Sequence, residues 1–197
     1  MEHYTALSPY LKRRFGCKVY KLSLSAGCTC PNRDGTLGAR GCIFCSGSGE
    51  FAASGSASIP EQLEQAKYIL GKKAQGAKFI AYFQDFTNTY GAVSRLEPLF
   101  LTAMEPDDVV ALSIATRPDC LPEDILRMLS RLRARKPVFV ELGLQTIHEA
   151  AAHYIRRGYP LSVFDDAVQK LHALDIEVIA HQILGLPGET AEMIVET

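Results

Sequence analysis

The stretch G-C-T-C-P-N-R-D-G-T-L-G-A-R-G-C-I-F-C-S-G, residues 27–47, holds four of the six cysteines in the chain. Within it, Cys30, Cys42 and Cys45 form the pattern C-x11-C-x2-C, and Cys28 lies two residues before the first of them. A tight turn can direct both thiols of a C-x2-C pair to the same side, and the glycines that precede the pair allow the loop to fold back. The pattern fits either an iron–sulfur cluster with three protein ligands or a zinc site with four cysteines.

The composition is that of an ordinary globular chain. Its 197 residues are enough for one large domain, and a hydrophobic fraction of 47% can fill the core. A formal net charge of −1 gives no overall field that would attract nucleic acid or a membrane surface. The first 14 residues are polar and basic, unlike a signal peptide, and no apolar run approaches the roughly 20 residues of a membrane span. We therefore expect a cytoplasmic protein whose clustered cysteines serve metal binding or catalysis rather than disulfides.

Strands and helices alternate through the rest of the chain. Short apolar or alternating runs predict five strands, at 19–24, 79–84, 109–115, 138–144 and 176–184. Apolar residues at helical spacing predict helices between them, and a further helix starts at Thr190. This order predicts an α/β fold of repeated βαβ units with a parallel sheet. An open doubly wound sheet and a barrel-like arrangement both fit the alternation.

Two helix starts carry the sequence of a capping box. One pairs Ser58 with Glu61, and the other pairs Thr146 with Glu149. The first of these helices is expected to end at Gly76 and to bury a face made of Leu63, Ala66, Ile69 and Leu70. Between residues 25 and 58 no regular element is predicted, and a loop of that length in a compact domain is usually functional or disordered.

Each predicted strand ends in residues suited to ligand binding. The cysteines follow strand one, and polar or glycine-rich runs follow the others at 84–90, 116–120, 143–146 and 185–189. In a parallel sheet the carboxyl ends of the strands meet at one rim, where the chemistry of such folds takes place. Ordinary turn formation explains any one of these runs. Taken together, they predict a ligand site at this rim.

Several motifs on this rim resemble those of the radical S-adenosylmethionine (SAM) superfamily, and most closely its YhcC-like bacterial subgroup. They are CPNRDG at 30–35, GCIFC at 41–45, YFQDFTNTY at 82–90, TRPDC at 116–120, ELGLQ at 141–145 and HQILGLPGE at 181–189. The core is also similar to that of the elongator acetyltransferase subunit and of oxygen-independent coproporphyrinogen oxidase. The resemblance covers nearly the whole chain, and the three-cysteine motif combined with ILGLPGE is highly specific.

The resemblance implies a fold and a chemistry. The fold is a partial (β/α)6 barrel of the TIM type, which the alternation permits. The cofactors are one [4Fe-4S] cluster, with Cys30, Cys42 and Cys45 as its ligands, and SAM bound to the iron that these cysteines leave open. One electron, from a donor such as a flavodoxin or a ferredoxin, splits SAM into methionine and a 5′-deoxyadenosyl radical that abstracts hydrogen from a substrate. This chemistry belongs to the cofactors, which the protein orients and shields.

The same resemblance assigns the contacts to SAM. The segment around Gln84 holds the methionine amino group, whereas Thr116 and Gln145 contact the ribose and the methionine carboxylate. Ile183 flanks the adenine ring, and Gly185 allows the close approach of the ligand. Phe44, between the paired cysteines, covers the cluster against water.

Two features depart from the family pattern. Cys28 is an additional cysteine beside the motif, and the string CPNRDG favours Cys30 over Cys28 as the ligand. The family has a sixth strand, and none is predicted here. We therefore expect residues 1–197 to form one radical SAM core domain that is truncated after its fifth strand and incomplete at its C-terminus.

A rival hypothesis comes from a different class of protein. It is a binding module in which Cys28, Cys30, Cys42 and Cys45 hold zinc while arginines contact RNA. This hypothesis uses all the clustered cysteines, but it does not explain the polar rim. Under the enzyme hypothesis the substrate is unknown, and the basic residues around Arg131 make tRNA a substrate to test.

Overall fold

The computed structural model describes residues 4–45 and 57–197. Within them the strands are β1 (Val19–Leu24), β2 (Lys78–Phe83), β3 (Val109–Thr116), β4 (Val138–Gln145) and β5 (Glu177–Gln182). The helices are α1 (Leu7–Phe15), α2 (Ile59–Leu70), α3 (Val93–Met104), α4 (Glu123–Arg133), α5 (Glu149–Tyr154), α6 (Leu161–Ala173) and α7 (Ala191–Glu196). Short 3₁₀ turns lie at Gly71–Ala74 and Pro118–Cys120.

The five strands form one parallel sheet in the order β1-β2-β3-β4-β5. Each strand pairs with the next one in the chain, so every connection moves in the same direction across the sheet. A doubly wound sheet reverses this direction at a switch point, and that alternative is therefore excluded. The predicted α/β fold with a parallel sheet is confirmed, and its strand order is that of a partial barrel.

One face of the sheet is buried under the helices. On β2, Phe79, Ala81 and Phe83 point toward this face, with exposures of 2% or less. Phe83 meets Phe100 of α3 edge to face, with the ring centroids 4.8 Å apart, and Leu129 of α4 joins the same cluster. Because apolar burial is the main favourable term in folding, this face stabilises the sheet and leaves the opposite face available for polar side chains.

The opposite face is apolar at the amino end of the sheet and polar at its carboxyl end. The amino end holds a small cluster of Leu11, Val19, Ile80, Ala111 and Phe139. Leu11 belongs to α1, so this helix closes the amino end of the sheet. The polar residues of this face therefore collect at the carboxyl end.

The helix α1 was not expected from the sequence. Its signal was an apolar residue at every fourth position, at Leu7, Leu11 and Phe15. Gly16 ends the helix in the left-handed region, at φ +70°. The Tyr10 hydroxyl donates to Glu177 Oε2 of β5 at 2.8 Å, which fixes the helix to the sheet.

The start of α2 is confirmed, but its end and its buried face differ from the prediction. The Ser58 amide donates to Glu61 Oε2 at 2.8 Å, and the Glu61 amide donates to Ser58 Oγ at 3.5 Å, which makes the predicted capping box. The helix ends at Leu70 rather than near Gly76, because the chain tightens there into a 3₁₀ turn. Ile69, predicted to be buried, is 83% exposed, since the helix turns that position away from the sheet.

The second predicted capping box does not form. Helix α5 begins at Glu149, and its N-cap residue is His148. The Thr146 hydroxyl instead accepts a hydrogen bond from the His148 amide at 3.2 Å. Glu149 Oε1 accepts from the Leu161 amide at 3.1 Å. A tertiary partner has replaced the local one, which a four-residue pattern cannot reveal.

The five predicted strands are confirmed, with β5 ending two residues earlier than expected, at Gln182. The predicted absence of regular structure after β1 holds for residues 25–45, and residues 46–56 lie outside the described part of the chain. None of the helices in residues 4–45 and 57–197 combines the length and the apolar character needed to cross a bilayer.

Candidate active site

A cavity of about 310 Å³ lies at the carboxyl end of the sheet. The loop that follows β1, residues 25–45, forms one wall, which we call the cysteine loop. The ends of the strands and the turn that follows α5 form the other wall, which we call the strand wall. The residues that line the cavity are Cys30, Cys42, Phe44, Cys45, Gln84, Phe86, Thr87, Ala115, Thr116, Arg117, Glu141, Gly143, Gln145, Arg157, Tyr159 and His181.

Six of the eight predicted site residues line this one cavity: Cys30, Cys42, Cys45, Gln84, Thr116 and Gln145. The other two lie outside its lining. Ile183 packs on a separate apolar cluster that contains Leu186, and Gly185 is exposed, with φ +78°. The rim where the strands end therefore collects residues that are far apart in the sequence, as a parallel sheet should.

Main-chain turns shape the cysteine loop. The Cys30 carbonyl accepts from the amides of Arg33 and Asp34, at 2.8 and 3.1 Å. The Cys45 amide donates to the Cys42 carbonyl at 3.1 Å, which closes the turn between the paired cysteines. The Arg33 guanidinium donates to the Cys45 carbonyl at 2.8 Å and so links the two ends of the loop. This loop shape, rather than any regular element, brings the three cysteines to one cavity.

The cysteine loop is also fixed to the turn that follows α5. The Ile43 amide donates to the Ile155 carbonyl at 3.2 Å, and Asn32 Nδ2 donates to the Arg156 carbonyl at 2.7 Å. Asn32 Nδ2 also lies 3.3 Å from Cys42 Sγ. Burial raises the pKa of the Cys42 thiol, and the neighbouring Cys30 and Cys45 raise it further, whereas Asn32 lowers it. The thiols are therefore close enough to influence one another electrostatically.

Cys28 has a different environment from the other three clustered cysteines. It is 8% exposed and belongs to the main apolar core. Arg95 of α3 donates to its sulfur at 3.0 Å and to the Ala26 carbonyl at 2.7 Å. Burial raises the pKa of the Cys28 thiol in spite of this arginine. Cys28 thus anchors the start of the cysteine loop to the core and does not line the cavity.

The three cysteines that line the cavity fit an iron–sulfur cluster. In residues 4–45 and 57–197, no group of three Cys, His, Asp or Glu side chains is arranged to hold one metal ion. A structural zinc ion needs four donors that converge on one point, and Cys28 faces the core. In an iron–sulfur cluster each thiolate binds its own iron, so three thiols spread around one cavity fit that group.

Gln145 occupies a strained position at the end of β4. Its φ is +58°, a region that few residues other than glycine adopt, and a register irregularity separates it from Gly143. A Cβ atom on Gly143 would lie 2.4 Å from Gln145 Nε2, so the Gln145 amide would have to move from its present position. The Tyr159 hydroxyl donates to the Gly143 carbonyl at 2.5 Å and lies 3.2 Å from Gln145 Oε1. Such strain often marks functional positions, where surrounding contacts maintain it.

Arg157, which the sequence analysis did not single out, is a buried cation in the strand wall. It is 1% exposed. Its Nη1 donates to the carbonyls of Leu144 and Thr146 at 2.9 and 2.6 Å, and its Nε donates to the Tyr159 carbonyl at 3.0 Å. It therefore holds the chain on both sides of Gln145. Its position after a short helix gave no periodic signal that could have identified it.

Two threonines at the cavity differ in how their hydroxyls are used. Thr116 Oγ1 shares a hydrogen bond of 2.5 Å with Thr89 Oγ1, which also donates to the Cys120 carbonyl at 2.6 Å. Thr87 is 1% exposed, and within the described residues its Oγ1 is buried without any hydrogen-bond partner. Buried polar atoms rarely lack a partner. Thr87 is therefore the better candidate for a ligand contact of the two.

A buried carboxylate, also not predicted, lies on the inner face of the sheet at the bottom of the strand wall. Glu141 accepts hydrogen bonds from Lys21, Ser113 and His181, the last at 2.7 Å. Burial works against its charge, but the three donors outweigh that effect and lower the pKa of Glu141 to about 2. The His181 side chain is 46% exposed and lines the cavity, so it is not the buried core residue that its position in a strand suggests.

Comparison with known proteins gives a consistent result. The family model for the radical SAM superfamily matches residues 32–197. The protein YtqA of Bacillus subtilis (strain 168) is 44% identical over 198 aligned residues that span all of this chain. The protein YhcC of Escherichia coli (strain K12) is 38% identical over 95% of the chain. The chain spans 62% of the length of each of these curated relatives.

A solved structure shows a similar fold. The archaeal Elp3 of Methanocaldococcus infernus, with an N-terminal deletion, matches 89% of this chain with a TM-score of 0.62. The match covers 40% of that structure at 21% sequence identity. The likeness confirms the arrangement of the sheet and helices that brings the cavity residues together.

Proposed function

The chain belongs to the radical SAM superfamily, and we propose that it holds a [4Fe-4S] cluster through Cys30, Cys42 and Cys45 and binds SAM in the adjoining cavity. When bound, these cofactors supply reductive cleavage of SAM to a 5′-deoxyadenosyl radical, which abstracts hydrogen from a substrate. The observation that carries the proposal is the shared cavity: three cysteines from one loop and polar residues from the ends of β2, β3 and β4 line it together.

The strand wall supplies hydrogen-bonding groups for SAM, and the cysteine loop supplies the residue that shields the cluster. Gln145, held by Tyr159, presents its amide at the cavity, and the unpaired hydroxyl of Thr87 offers a further hydrogen bond. Gln84 lines the cavity while its Oε1 accepts from Ser23 at 3.2 Å. Phe44, 46% exposed at the cavity mouth, covers the thiols against water.

Of the remaining predicted contacts, Thr116 lines the cavity, whereas Ile183 and Gly185 lie outside its lining. By the family resemblance, Thr116 contacts SAM from the end of β3, Ile183 flanks the adenine ring, and Gly185 permits close approach. Ile183 is partly buried beside Leu186. An adenine ring at this position would cover apolar surface next to the cavity, which is favourable.

Metal analysis of the anaerobically purified and reconstituted protein tests the proposal. We expect a brown protein with about four irons per chain, bleached by dithionite, that forms 5′-deoxyadenosine from SAM. The zinc hypothesis predicts stoichiometric zinc without iron, and that result would overturn the proposed enzyme. A protein with iron but without SAM cleavage would contradict the proposed SAM site alone.

The partners are proposed only by class. The electron donor is a small redox protein such as a flavodoxin or a ferredoxin, and we propose a cytoplasmic location, where thiols stay reduced. The structure gives no support to tRNA binding through α4, because Arg127, Arg131 and Arg133 are paired with acidic residues. The substrate test is therefore a comparison of 5′-deoxyadenosine formation with tRNA and with fractions of cell extract, without a preference for either.

A further inference from the structure

Asn32 has contacts that neither turn formation nor apolar packing requires. It directly follows Cys30-Pro31 in the cysteine loop and is 8% exposed. Its Nδ2 donates to the Arg156 carbonyl at 2.7 Å and lies 3.3 Å from Cys42 Sγ. A buried polar side chain needs hydrogen-bond partners, and these two contacts supply them.

The orientation of the Asn32 amide follows from its partner. The Arg156 carbonyl can only accept a hydrogen bond, so the atom that faces it must be the nitrogen. An amide nitrogen carries two hydrogens, and one is used by this carbonyl. The second hydrogen is available to Cys42 Sγ.

The turn that receives Asn32 is itself held in place. Arg156 and Gly158 both have positive φ, +58° and +85°. Arg117 donates to the Arg157 carbonyl at 3.0 Å and forms an ion pair with Asp119 at 2.7 Å. The Arg156 carbonyl is therefore a fixed point, and the Asn32 amide is positioned against Cys42 before any cofactor binds.

From this geometry we propose that Asn32 tunes the reduction potential of the cluster by donating a hydrogen bond to the Cys42 thiolate. The inference rests on the proposed function, because it requires Cys42 to be a cluster ligand. Hydrogen bonds to cluster sulfurs set reduction potentials, since they stabilise the more negative, reduced form. Asn32 therefore raises the potential and makes the cluster easier to reduce by one electron.

Three variants of the reconstituted protein separate this role from loop folding. Asn32→Ala removes the amide. Gly38→Ala keeps Asn32 but displaces it, because the new Cβ atom would lie 3.0 Å from Asn32 Oδ1. Thr36→Ala is the matched control in the same loop, since Thr36 bonds Tyr90 at 3.0 Å and no cysteine.

The measurement is the midpoint potential of the cluster, determined without SAM by spectroelectrochemistry and by the EPR signal of the reduced cluster. We expect Asn32→Ala to lower the equilibrium constant for reduction about tenfold, which is about 59 mV for one electron. Gly38→Ala should shift the potential in the same direction by less, and Thr36→Ala should leave it unchanged. Iron content and thermal unfolding of each variant show that cluster and fold persist.

The experiment separates a failure of the proposed function from a failure of the inference about Asn32. A wild-type protein that takes up no cluster overturns the proposed function and this inference together. A wild-type cluster whose potential is unchanged in Asn32→Ala, or in Gly38→Ala if Asn32→Ala does not retain iron, overturns this inference alone. An equal shift in the Thr36→Ala control would also overturn it, because loop disturbance would then be sufficient.

Discussion

The two walls of the cavity are built in different ways. In the strand wall, Glu141 and Arg157 are buried, and the protein itself satisfies them through several hydrogen bonds each. In the cysteine loop, Phe44 is 46% exposed and the three cysteines are only partly buried. Folding of the sheet thus satisfies Glu141 and Arg157, whereas the thiols of the cysteine loop can still bind a cofactor.

This difference has a thermodynamic consequence. Substitutions in the strand wall should reduce the free energy of unfolding, because they leave buried polar groups without partners. Substitutions of the three partly buried thiols should change metal binding and leave the fold nearly unaffected. A metal that binds only the folded state adds stability, so binding of the cluster should raise the free energy of unfolding further.

The largest expected effect is the loss of the cluster in Cys42→Ala. We expect iron content to fall to background and 5′-deoxyadenosine formation to stop, because two thiolates do not hold the proposed cluster. The apo-protein should unfold within about 1 kcal/mol of wild type, since Cys42 packs little apolar surface. Iron analysis and urea unfolding of the apo-protein check the two statements.

Cys28→Ala is the matched control for Cys42→Ala. It should keep the iron and the activity but lower the free energy of unfolding by about 1 kcal/mol, because it removes a buried sulfur bonded to Arg95. If this variant lost the cluster instead, the ligand set would have to include Cys28, and the contrast between core and cavity cysteines would be wrong.

The next largest effect is expected in Glu141→Gln. The change removes the negative charge between Lys21 and His181, and the side chain of Glu141 is only 1% exposed. Breaking a buried ion pair in this way costs about 3 kcal/mol of unfolding free energy. Ser113→Ala, which removes a neutral donor to the same carboxylate, should cost about 1 kcal/mol. If both variants lost the same unfolding free energy, the charge of Glu141 would contribute nothing to stability.

The sequence predicted the cysteine loop better than the strand wall, and the reason is physical. Local signals identify strands, glycines and cysteine spacing, and so Cys30, Cys42 and Cys45 were singled out together. The network of Glu141 joins residues of β1, β3, β4 and β5, which are brought together only by the register of the sheet. No pattern within a short window contains that information.

Tertiary contacts also explain the wrong local predictions. Thr146 and Glu149 have the sequence of a capping box, yet Glu149 bonds the Leu161 amide. Ile69 continues an apolar pattern on α2, yet the helix ends one residue later and leaves it exposed. In the first case a tertiary contact replaced the local one, and in the second the helix turns Ile69 away from the sheet.

Acid should destabilise the strand wall through Glu141. Its pKa is near 4.5 when unperturbed and about 2 in the folded protein. The unfolded state therefore binds more protons between these values, so the contribution to stability is full above pH 4.5 and is lost as the pH falls toward 2. It amounts to about 3 kcal/mol at most.

The pH dependence is measured as a difference between wild type and Glu141→Gln. Urea unfolding of both apo-proteins should give a difference in unfolding free energy that is constant from pH 7 to 5 and becomes smaller between pH 5 and 2. If the difference in unfolding free energy stayed constant down to pH 2, the pKa of Glu141 could not be low in the folded protein. The ion pair would then not stabilise the charged carboxylate.

The smallest expected effect comes from Tyr159→Phe, which tests how the strand wall holds Gln145. The phenyl ring keeps the contacts with the guanidinium groups of Arg117 and Arg157, whose Cζ atoms lie 4.9 and 5.0 Å from the ring centre. Only the hydroxyl bonds to the Gly143 carbonyl and to Gln145 are lost. We expect a cost of about 1 kcal/mol in unfolding free energy.

That same hydroxyl should matter for the ligand if Gln145 contacts SAM. Because its loss frees the Gln145 amide, the Kd for SAM, measured on the reconstituted protein by equilibrium dialysis, should rise several-fold in Tyr159→Phe. Tyr154→Phe, at a side chain 55% exposed on α5, is the control and should change neither quantity. A stability loss without any change in SAM affinity would make Tyr159 a purely structural residue, and Gln145 would then lose its place among the proposed SAM contacts.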